Sequence, residues 1–383
     1  MPHYKFDQIA YNITDKKMPE PGDEKMYIGL EHLDSGSLKV TRWGSEVELK
    51  GQKLVMKKGD VLFGRRNTYL RRAAIAPHDG IFSAHGMIFR PKTEVIDSEY
   101  FPFFISSNYF MDAAIRISVG SLSPTVNWKT LKELEFDIPS LDEQRKNARM
   151  LAAINEAKEA YQELLLQTDN LVKSQFIEMF GDPVDNPKGF EKYPLMKLAK
   201  KITDGVHKKP VYTKTGIPFI SVTNINRGVI DFTDCKFVSE EAYQVMIKTT
   251  YPERGDVLYT KVGATYGISA YVDTDKQFGL YVSVCLIKPK HDLIDAQFLT
   301  ESMRMEYVKK QADERIKGIG VPDLHLREIK SFEILCPPRE LQEQFVEFVK
   351  QSDKSKFELK EAIKSCDALM KAILFTNLEE KED

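Results

Sequence analysis

Residues 59–76 read GDVLFGRRNTYLRRAAIA, and residues 255–272 read GDVLYTKVGATYGISAYV. The four letters GDVL stand in both stretches and begin a short apolar run typical of a β-strand. The residues that follow differ, because the first stretch continues with four arginines and the second with glycines and a single lysine. This pattern indicates one strand that is present twice and a loop that has two versions.

Other matches occur in the same order along the chain. They pair ITD (13–15) with ITD (202–204), IFRPK (88–92) with LIKPK (286–290), VIDSEYF (95–101) with LIDAQFL (293–299), and IPSLDEQ (138–144) with CPPRELQEQ (336–344). The offset between partners grows only from 189 to 200 along the chain, so the matches are collinear. Collinear matches at this spacing predict a tandem duplication of one domain.

A long helix is predicted at the end of each copy. Residues 141–180 contain neither Pro nor Gly, and the run ends at Gly181 and Pro183. Apolar residues in both helices alternate at spacings of four and three, which is typical of a coiled-coil seam. We therefore predict an α+β fold: a tandem duplication of a mixed α/β domain followed by a long helix, with the two helices pairing as an antiparallel coiled coil with pseudo-twofold symmetry. The alternative is that each helix packs on its own β-rich domain.

Composition places the chain among ordinary globular proteins. It has 383 residues, of which 42% are hydrophobic and 29% charged. No apolar run reaches the roughly 18 residues of a membrane span, and the N-terminal residues lack a secretion signal, so we expect a cytoplasmic protein. The four cysteines are widely spaced, which favours free thiols. A formal net charge of −2 argues weakly against a nucleic-acid partner.

The order of these motifs resembles the DNA-specificity subunit of a Type I restriction-modification enzyme. The resemblance rests on the two-copy layout, on GDVLFGR and GDVLYTK, on the junctions PSLDEQ and PPRELQEQ, and on FIEMFGDPVDNPKGFEKYPL after the first helix. It covers nearly the whole chain. One departure is that the first loop has RRNTYLRR where the second has the glycine-containing KVGATYG.

The resemblance implies a chain without catalytic activity that reads a split, asymmetric DNA sequence. It implies target-recognition domains at 1–140 and 186–338 and conserved spacer helices at 141–185 and 339–376, and it leaves out only the acidic tail at 377–383. The implied partners are double-stranded DNA, a pair of methyltransferase subunits and restriction (translocase) subunits, without a membrane. S-adenosylmethionine, ATP and Mg²⁺ are expected on the partner subunits, and no cofactor on this chain.

Known catalytic motifs are missing from the sequence. It contains no methyltransferase Asn/Asp-Pro-Pro-aromatic motif, no phosphate-binding GxxxxGK[ST] loop and no HExxH pair. The seven histidines are dispersed, so no metal site is expected. The principal alternative function is a coiled-coil scaffold whose two β-rich domains bind proteins, and an enzyme with an unrecognised site is a more remote one.

The predicted DNA contacts of the first copy follow its GDVL strand. Arginine offers a bidentate fork to guanine or phosphate, and asparagine can pair with adenine. The candidates are Arg65, Arg66, Asn67, Tyr69, Arg71 and Arg72, with Asn127 near a later bend. Alternate strand residues face opposite sides, so we expect at most about half of the loop residues to touch DNA. The alternative is a solvated charged turn.

The second copy has a sparser loop, so its candidates are scattered. They are Lys261, Thr265 and Tyr266 in the loop, His207, Lys208 and Lys209 in DGVHKKP, Asn224, Asn226 and Arg227 in TNINRG, and Lys317 at the bend. Surface decoration is an equally open explanation for several of them. On the helices, the residues predicted at the seam and at the docking surface for partners are Ile154, Tyr161, Leu164, Leu171, Leu359, Cys366, Leu369 and Ile373.

Overall fold

A computed structural model describes residues 2–226, 228–316 and 321–376, apart from the side chains of Asn226, Phe375 and Thr376. The strands of the first copy are β1 (His3–Lys5), β2 (Ala10–Ile13), β3 (Lys16–Lys17), β4 (Tyr27–Ile28), β5 (Lys53–Met56), β6 (Val61–Phe63), β7 (Ala73–Ile75), β8 (Gly80–Phe82), β9 (Met87–Pro91) and β10 (Glu135–Asp137). Its helices are α1 (Phe6–Ile9), α2 (Phe101–Ser106), α3 (Asn108–Arg116), α4 (Trp128–Leu131) and the long α5 (Leu141–Phe180).

The second copy repeats this order with additions. Its strands are β11 (Lys192–Pro194), β12 (Ala199–Asp204), β13 (Ile217–Ile220), β14 (Ile225–Asn226), β15 (Val229–Ile230), β16 (Lys236–Val238), β17 (Val257–Thr260), β18 (Ser269–Tyr271), β19 (Gly279–Leu280), β20 (Val284–Pro289) and β21 (Glu333–Leu335). Its helices are α6 (Leu195–Leu198), α7 (Glu240–Met246), α8 (Ala296–Arg304), α9 (Glu306–Arg315), α10 (Leu326–Lys330) and the long α11 (Arg339–Thr376).

Corresponding sheets occur in both copies. The antiparallel sheet β2-β9-β6-β7 corresponds to β12-β20-β17-β18, and the pair β1-β10 corresponds to β11-β21. A further sheet contains one parallel pair in each copy, β4 with β8 and β13 with β19. The predicted duplication and the mixed helix-sheet fold are therefore confirmed.

The repeated GDVL letters have the same structural role twice. Gly59 and Gly255 both have φ of +91°, a left-handed conformation that favours glycine. The buried Asp60 accepts the backbone N–H of Lys57 at 2.8 Å and pairs with Arg90. Asp256 likewise accepts from Glu253 and pairs with Lys288 at 2.7 Å.

The apolar letters of GDVL are buried on both faces of their sheet. Val61 and Phe63 point into the core between the sheet and the helices, whereas Leu62 points into the core between the sheets. Val257 and Leu258 divide in the same way. A strand that is covered on both faces needs consecutive apolar residues, which explains why these letters survive in both copies.

The chain divides into two compact units, and each contains part of both long helices. Unit 1 comprises residues 1–164 and 359–383, and unit 2 comprises residues 165–358. The predicted division into recognition domains and spacer helices is a different partition of the chain and stays a prediction.

In unit 1 the long helices run in opposite directions. Ala148 and Leu151 of α5 lie in the same core that Met370 and Leu374 of α11 pack against. Further along α5, Lys158 Nζ lies 2.7 Å from Asp367 Oδ1. Rising numbers on α5 thus meet falling numbers on α11, as expected for an antiparallel pair.

Unit 2 contains the equivalent arrangement. Phe176 of α5 contacts Phe345 of α11, with ring centroids 5.5 Å apart, and Lys356 Nζ lies 2.9 Å from Asp169 Oδ1. The predicted antiparallel pairing is confirmed, and each helix also packs on a β-rich domain.

The predicted seam needs a correction. Leu171 and Leu369 expose 52% and 55% of their surfaces, so they are not seam residues; Leu164 is also half exposed, at 47%. The buried residue beside Leu171 is Val172, which continues through Phe176 to Phe180 at four-residue steps. The core of the β-rich domain therefore selects a helix face one residue away from the predicted heptad. Of the other predicted residues, Cys366 is buried, and Ile154, Tyr161, Leu359 and Ile373 are half-buried.

Candidate nucleic-acid interface

The first candidate loop connects β6 to β7 and is held by its backbone. Asn67 and Arg71 have φ of 53° and 49°, and a short 3₁₀ turn, Thr68–Leu70, lies between them. The N–H of Asn67 donates to the carbonyl oxygen of Pro124 at 2.8 Å, and the N–H of Val126 donates to that of Arg65 at 3.0 Å. The loop is therefore anchored to the segment before α4.

Two of the four loop arginines bind the protein itself. Arg71 donates to Asn108 Oδ1 at 3.1 Å and forms an ion pair with Asp112. Arg72 donates to the carbonyl oxygens of Leu30 and Arg66. Burial lowers the pKa of the Arg72 guanidinium. Both side chains hold the loop in shape, and their DNA contacts stay a prediction.

The remaining loop residues have polar groups that are exposed or that have no hydrogen-bond partner among the described residues. Arg66 is exposed and donates only to Ser123 Oγ, at 3.3 Å, and Tyr69 is 56% exposed. Arg65 Nε and Asn67 Oδ1 are buried, with no hydrogen-bond partner among the described residues. Buried polar atoms normally have partners, so these atoms call for water or a ligand.

Asn127 lies at the end of the segment that supports this loop. It is exposed and precedes α4, but its side chain makes no capping hydrogen bond to the helix. The amide is therefore available to a partner.

In the corresponding loop of the second copy, the lysine and the tyrosine bind other residues of the protein. Lys261 is 5% exposed, and its Nζ lies 3.5 Å from Asp204 Oδ2 and 3.7 Å from Asp323 Oδ1. Tyr266 donates to Asp313 and accepts from Lys309 Nζ at 3.1 Å. Only Thr265 of the predicted loop residues is exposed, and its backbone carbonyl accepts from Thr260.

The basic side chains of the DGVHKKP segment, by contrast, are exposed to solvent. His207 exposes 75% of its side chain and approaches Asp204 Oδ1 at 3.3 Å. Lys208 and Lys209 are exposed. Lys209 Nζ lies 5.7 Å from the ring centroid of Tyr212.

The TNINRG segment contributes structure rather than accessible amides. Asn224 is buried; its Oδ1 accepts the N–H of Ser221 at 3.1 Å, and its Nδ2 donates to the carbonyl oxygen of Asp234. We remove Asn224 from the proposed contacts for this reason. The backbone of Asn226 pairs with Val229. The Asn226 side chain, Arg227 and Lys317 lie outside the described residues.

Two residues at this surface were missed by the sequence analysis. Lys236 of β16 lies with its Nζ 4.5 Å from the ring centroid of Tyr212, which Lys209 approaches as well. Lys236 is far from Lys209 in sequence, and the pairing of β13 with β16, together with the Thr213–Phe237 bridge, brings it to this segment. A single lysine and a single tyrosine form no recognisable sequence motif, so the sequence did not identify them as candidates.

The described residues hold no group of His, Cys, Asp or Glu side chains suited to a metal ion. All four cysteines are free. Within the described part of the chain, no helix is both long and apolar enough to cross a membrane.

The family model for the Type I restriction modification DNA specificity domain matches residues 12–166 and again residues 187–365. The chain belongs to this family. The specificity domain is thus matched twice, once for each copy of the fold, and each match includes one of the two loops after GDVL.

Curated Type I specificity subunits are similar in sequence. The MjaIX specificity subunit of Methanocaldococcus jannaschii is 26% identical over 278 residues, which are 67% of this chain and 62% of that protein. The MjaVIII specificity subunit of the same organism is 21% identical over 374 residues, 91% of this chain and 84% of that protein. The first of these matches spans less than two thirds of its relative.

Solved structures of Type I systems share the fold. The S subunit from M. genitalium has a TM-score of 0.56 at 15% identity, and the match covers 98% of this chain and 95% of that one. A chain from a structural study of complex assembly in the type I R-M system has a TM-score of 0.55 at 17% identity, covering 98% and 97%. At these identities the likeness concerns the fold alone.

Proposed function

We propose that this specificity subunit reads a bipartite, asymmetric DNA sequence, with one half-site for each copy of the domain. The observation that carries the proposal is that equivalent strands, β6 and β17, present loops with unlike side chains. The scaffold residues of GDVL are the same in both copies, whereas the loop residues that follow are Arg65-Arg66-Asn67 in one and Lys261-Val262-Gly263 at the matching positions of the other. Two copies with the same scaffold and different surfaces suit two different half-sites.

The proposed role of the chain is positioning rather than chemistry. Methyltransferase subunits would bind to it, flip the target adenines out of the duplex and supply S-adenosylmethionine. Restriction subunits would supply ATP and Mg²⁺. The two half-sites would lie about one helical turn apart, roughly 34 Å, as for other two-headed DNA readers. The complex would work in the cytoplasm, where bacterial and archaeal DNA is found.

Exposed apolar side chains on the long helices support the docking of partner subunits. Leu369 in unit 1 is 55% exposed, and Leu171 and Phe357 in unit 2 are 52% and 65% exposed. Contiguous exposed apolar patches mark protein-binding sites, and these side chains are the candidates for such a patch on each unit. The near-neutral charge of the chain further suggests that tight DNA binding needs the partner subunits.

The test is to express the chain with its methyltransferase subunits in a host without adenine methylation and to sequence the modified adenines. The proposal predicts one motif made of two unlike half-sites and a fixed spacer. A continuous motif, or no modified motif, contradicts it. The purified chain alone should neither methylate nor cleave DNA, and intrinsic activity would contradict the positioning role. Salt-insensitive protein binding without a preferred DNA sequence would favour the scaffold alternative.

The length of the long helices offers a second test. Four extra residues lengthen a helix by about 6 Å, or nearly two base pairs of duplex. Because α5 and α11 pair antiparallel, the insertion should be made in both helices, after Leu164 and after Glu358. The methylated motif of this variant should have a longer spacer and unchanged half-sites. The matched control is the insertion in α5 alone, which breaks the register between the helices and should abolish methylation.

A further inference from the structure

The two units place their unpaired cationic side chains on different elements. In unit 1, Arg65 and Arg66 of the loop after β6 form no ion pair among the described residues. The strand that follows the repeated Ile-Thr-Asp, β3, contains Lys17, whose Nζ lies 3.0 Å from Asp23 and 3.4 Å from Glu20. Unit 1 therefore has an open loop, whereas on β3 Lys17 is neutralised and Lys16 is exposed without an ion pair among the described residues.

Unit 2 differs from unit 1 in its loop after β17. Its loop lysine, Lys261, is buried between Asp204 and Asp323. The segment after its Ile-Thr-Asp carries Lys208 and Lys209, and neither forms an ion pair within the described residues. Of these two segments of unit 2, the one after β12 carries accessible cationic groups and the loop after β17 does not.

The Tyr212 ring lies near two lysines, Lys209 of the segment after β12 and Lys236 of β16. The ring has Lys236 Nζ at 4.5 Å and Lys209 Nζ at 5.7 Å from its centroid, and its other contacts include the ring of Phe219 at 6.0 Å. A hydrogen bond from Thr213 N–H to the Phe237 carbonyl, 2.9 Å long, ties the Tyr212 segment to β16. The ring is half-buried, and both ammonium groups lie near it, so Lys209 and Lys236 present their charges at one place on the surface.

Lys209 and Lys236 both approach the Tyr212 ring, and no carboxylate of the described residues pairs with either ammonium group. An anion at this surface would therefore have two cationic partners. A duplex backbone carries phosphate charges at close and regular spacing, so it can contact two neighbouring ammonium groups at once.

We propose that unit 2 contacts the DNA backbone through Lys209 and Lys236 at Tyr212, and not through the loop that follows β17. The proposal rests on the proposed function, because it names the surface with which the second half-site is held. It makes the DNA contacts of the two units non-equivalent: unit 1 uses the loop after GDVL, and unit 2 uses the segment between β12 and β13 with β16.

The test uses the complex with the methyltransferase subunits and a fluorescein-labelled duplex that carries the methylated motif. Binding is measured over a series of salt concentrations for the wild type and for the double variant K209A/K236A. Each lost phosphate contact lowers the slope of log K against log [salt] by about 0.9, so the variant should lose about 1.8. The preference for the motif over a scrambled duplex should be unchanged, because phosphate contacts carry no sequence information.

Two variants serve as controls. K209R/K236R keeps both charges and should retain the wild-type slope. K276A removes Lys276, which lies 5.2 Å from the ring centroid of Phe232 in the same unit and has no neighbouring cation on that ring. It should also leave the slope unchanged.

An unchanged slope in K209A/K236A overturns the proposal. Loss of methyltransferase binding in a pull-down, with the DNA slope of the remaining complex intact, overturns it as well and identifies the surface as a protein contact. A wild-type complex that shows no preference for the motif is a different result, because it contradicts the proposed function itself.

Discussion

Gln144 and Gln342 occupy the same position in the two copies of the fold. Gln144 Oε1 accepts the N–H of Asp97 at 2.7 Å, and its Nε2 donates to the carbonyl oxygens of Val95 and Pro139. Gln342 makes the same three bonds to Asp295, Leu293 and Pro337. Both side chains are fully buried in the first turn of a long helix. Each amide therefore joins the start of a long helix to the turn before α2 or α8.

Replacing Gln144 with alanine should destabilise unit 1 by about 1–3 kcal/mol, since three buried backbone groups lose their partner. The change Gln342→Ala should have the same cost in unit 2. Urea unfolding measured with tryptophan and far-UV signals gives the comparison. The control is Lys146→Ala, which changes an exposed residue of α5 that takes no part in these hydrogen bonds. If either glutamine variant lowers the free energy of unfolding no more than Lys146→Ala does, these hydrogen bonds contribute nothing to stability.

The Lys158–Asp367 ion pair should stabilise the contact between α5 and α11. Lys158 exposes only 12% of its side chain, so the coupling should lie near the upper end of exposed pairs, about 1 kcal/mol. A double-mutant cycle with K158A and D367A measures it. The pair Lys364–Glu361, which lies within one helix and is more exposed, is the control and should give about 0.3–0.5 kcal/mol. Equal coupling in both cycles would contradict a special role for the interhelical pair.

Removing the two unpaired arginines of the first loop should weaken DNA binding at one half-site. The variant R65A/R66A should lose preference for the correct bases in the first half-site and keep it in the second. Binding competition between duplexes with one scrambled half-site each separates the two effects. Lys17→Ala is the matched control, because Asp23 and Glu20 already neutralise that lysine. Equal loss at both half-sites would refute the division of labour.

Asp137 should control the protonation of His3 on the β1–β10 pair. Its side-chain hydrogen bond to Nδ1, 3.0 Å long, is the main reason why the pKa of His3 is raised, and Glu135 adds to it. A histidine with a raised folded-state pKa stabilises the protein below its unfolded pKa of 6.5, and this stabilisation is lost as the pH rises through the folded pKa. Asp137→Asn should lower the His3 pKa, as followed by NMR, and Glu135→Gln should lower it less. The reverse order would contradict this assignment.

Much of the fold was predictable because both copies keep the residues that their local conformation requires. GDVL marks a positive-φ glycine, a capping aspartate and a strand buried on both faces, and these requirements leave few residue choices. The last match was misaligned, however. Sequence identity paired Gln144 with Gln344, whereas the hydrogen bonds pair it with Gln342 and leave Gln344 exposed. A buried amide with three partners fixes the register, and an exposed Glu-Gln dipeptide does not.

The candidate site was less predictable, since charge in a sequence does not reveal its partner. Arg72 and Lys261 look like free cations in the sequence, yet one binds backbone carbonyls and the other lies between two aspartates. Conversely, Lys236 becomes a neighbour of Tyr212 only through strand pairing. The helix seam shifted by one residue for a similar reason, because Phe176 and Phe180 belong to the core of the domain.

The composition of the two units has a consequence for synthesis on the ribosome. Unit 2 is one continuous stretch of chain, whereas unit 1 needs residues from both ends, including Met370 and Leu374 against its core. Domains usually fold in the order in which they are made. Here the later-made unit has all its residues first, and the earlier one waits for nearly the last turn of α11. A nascent chain stalled before residue 359 should therefore hold a finished unit 2 beside an unfinished unit 1, which reverses the usual order of completion.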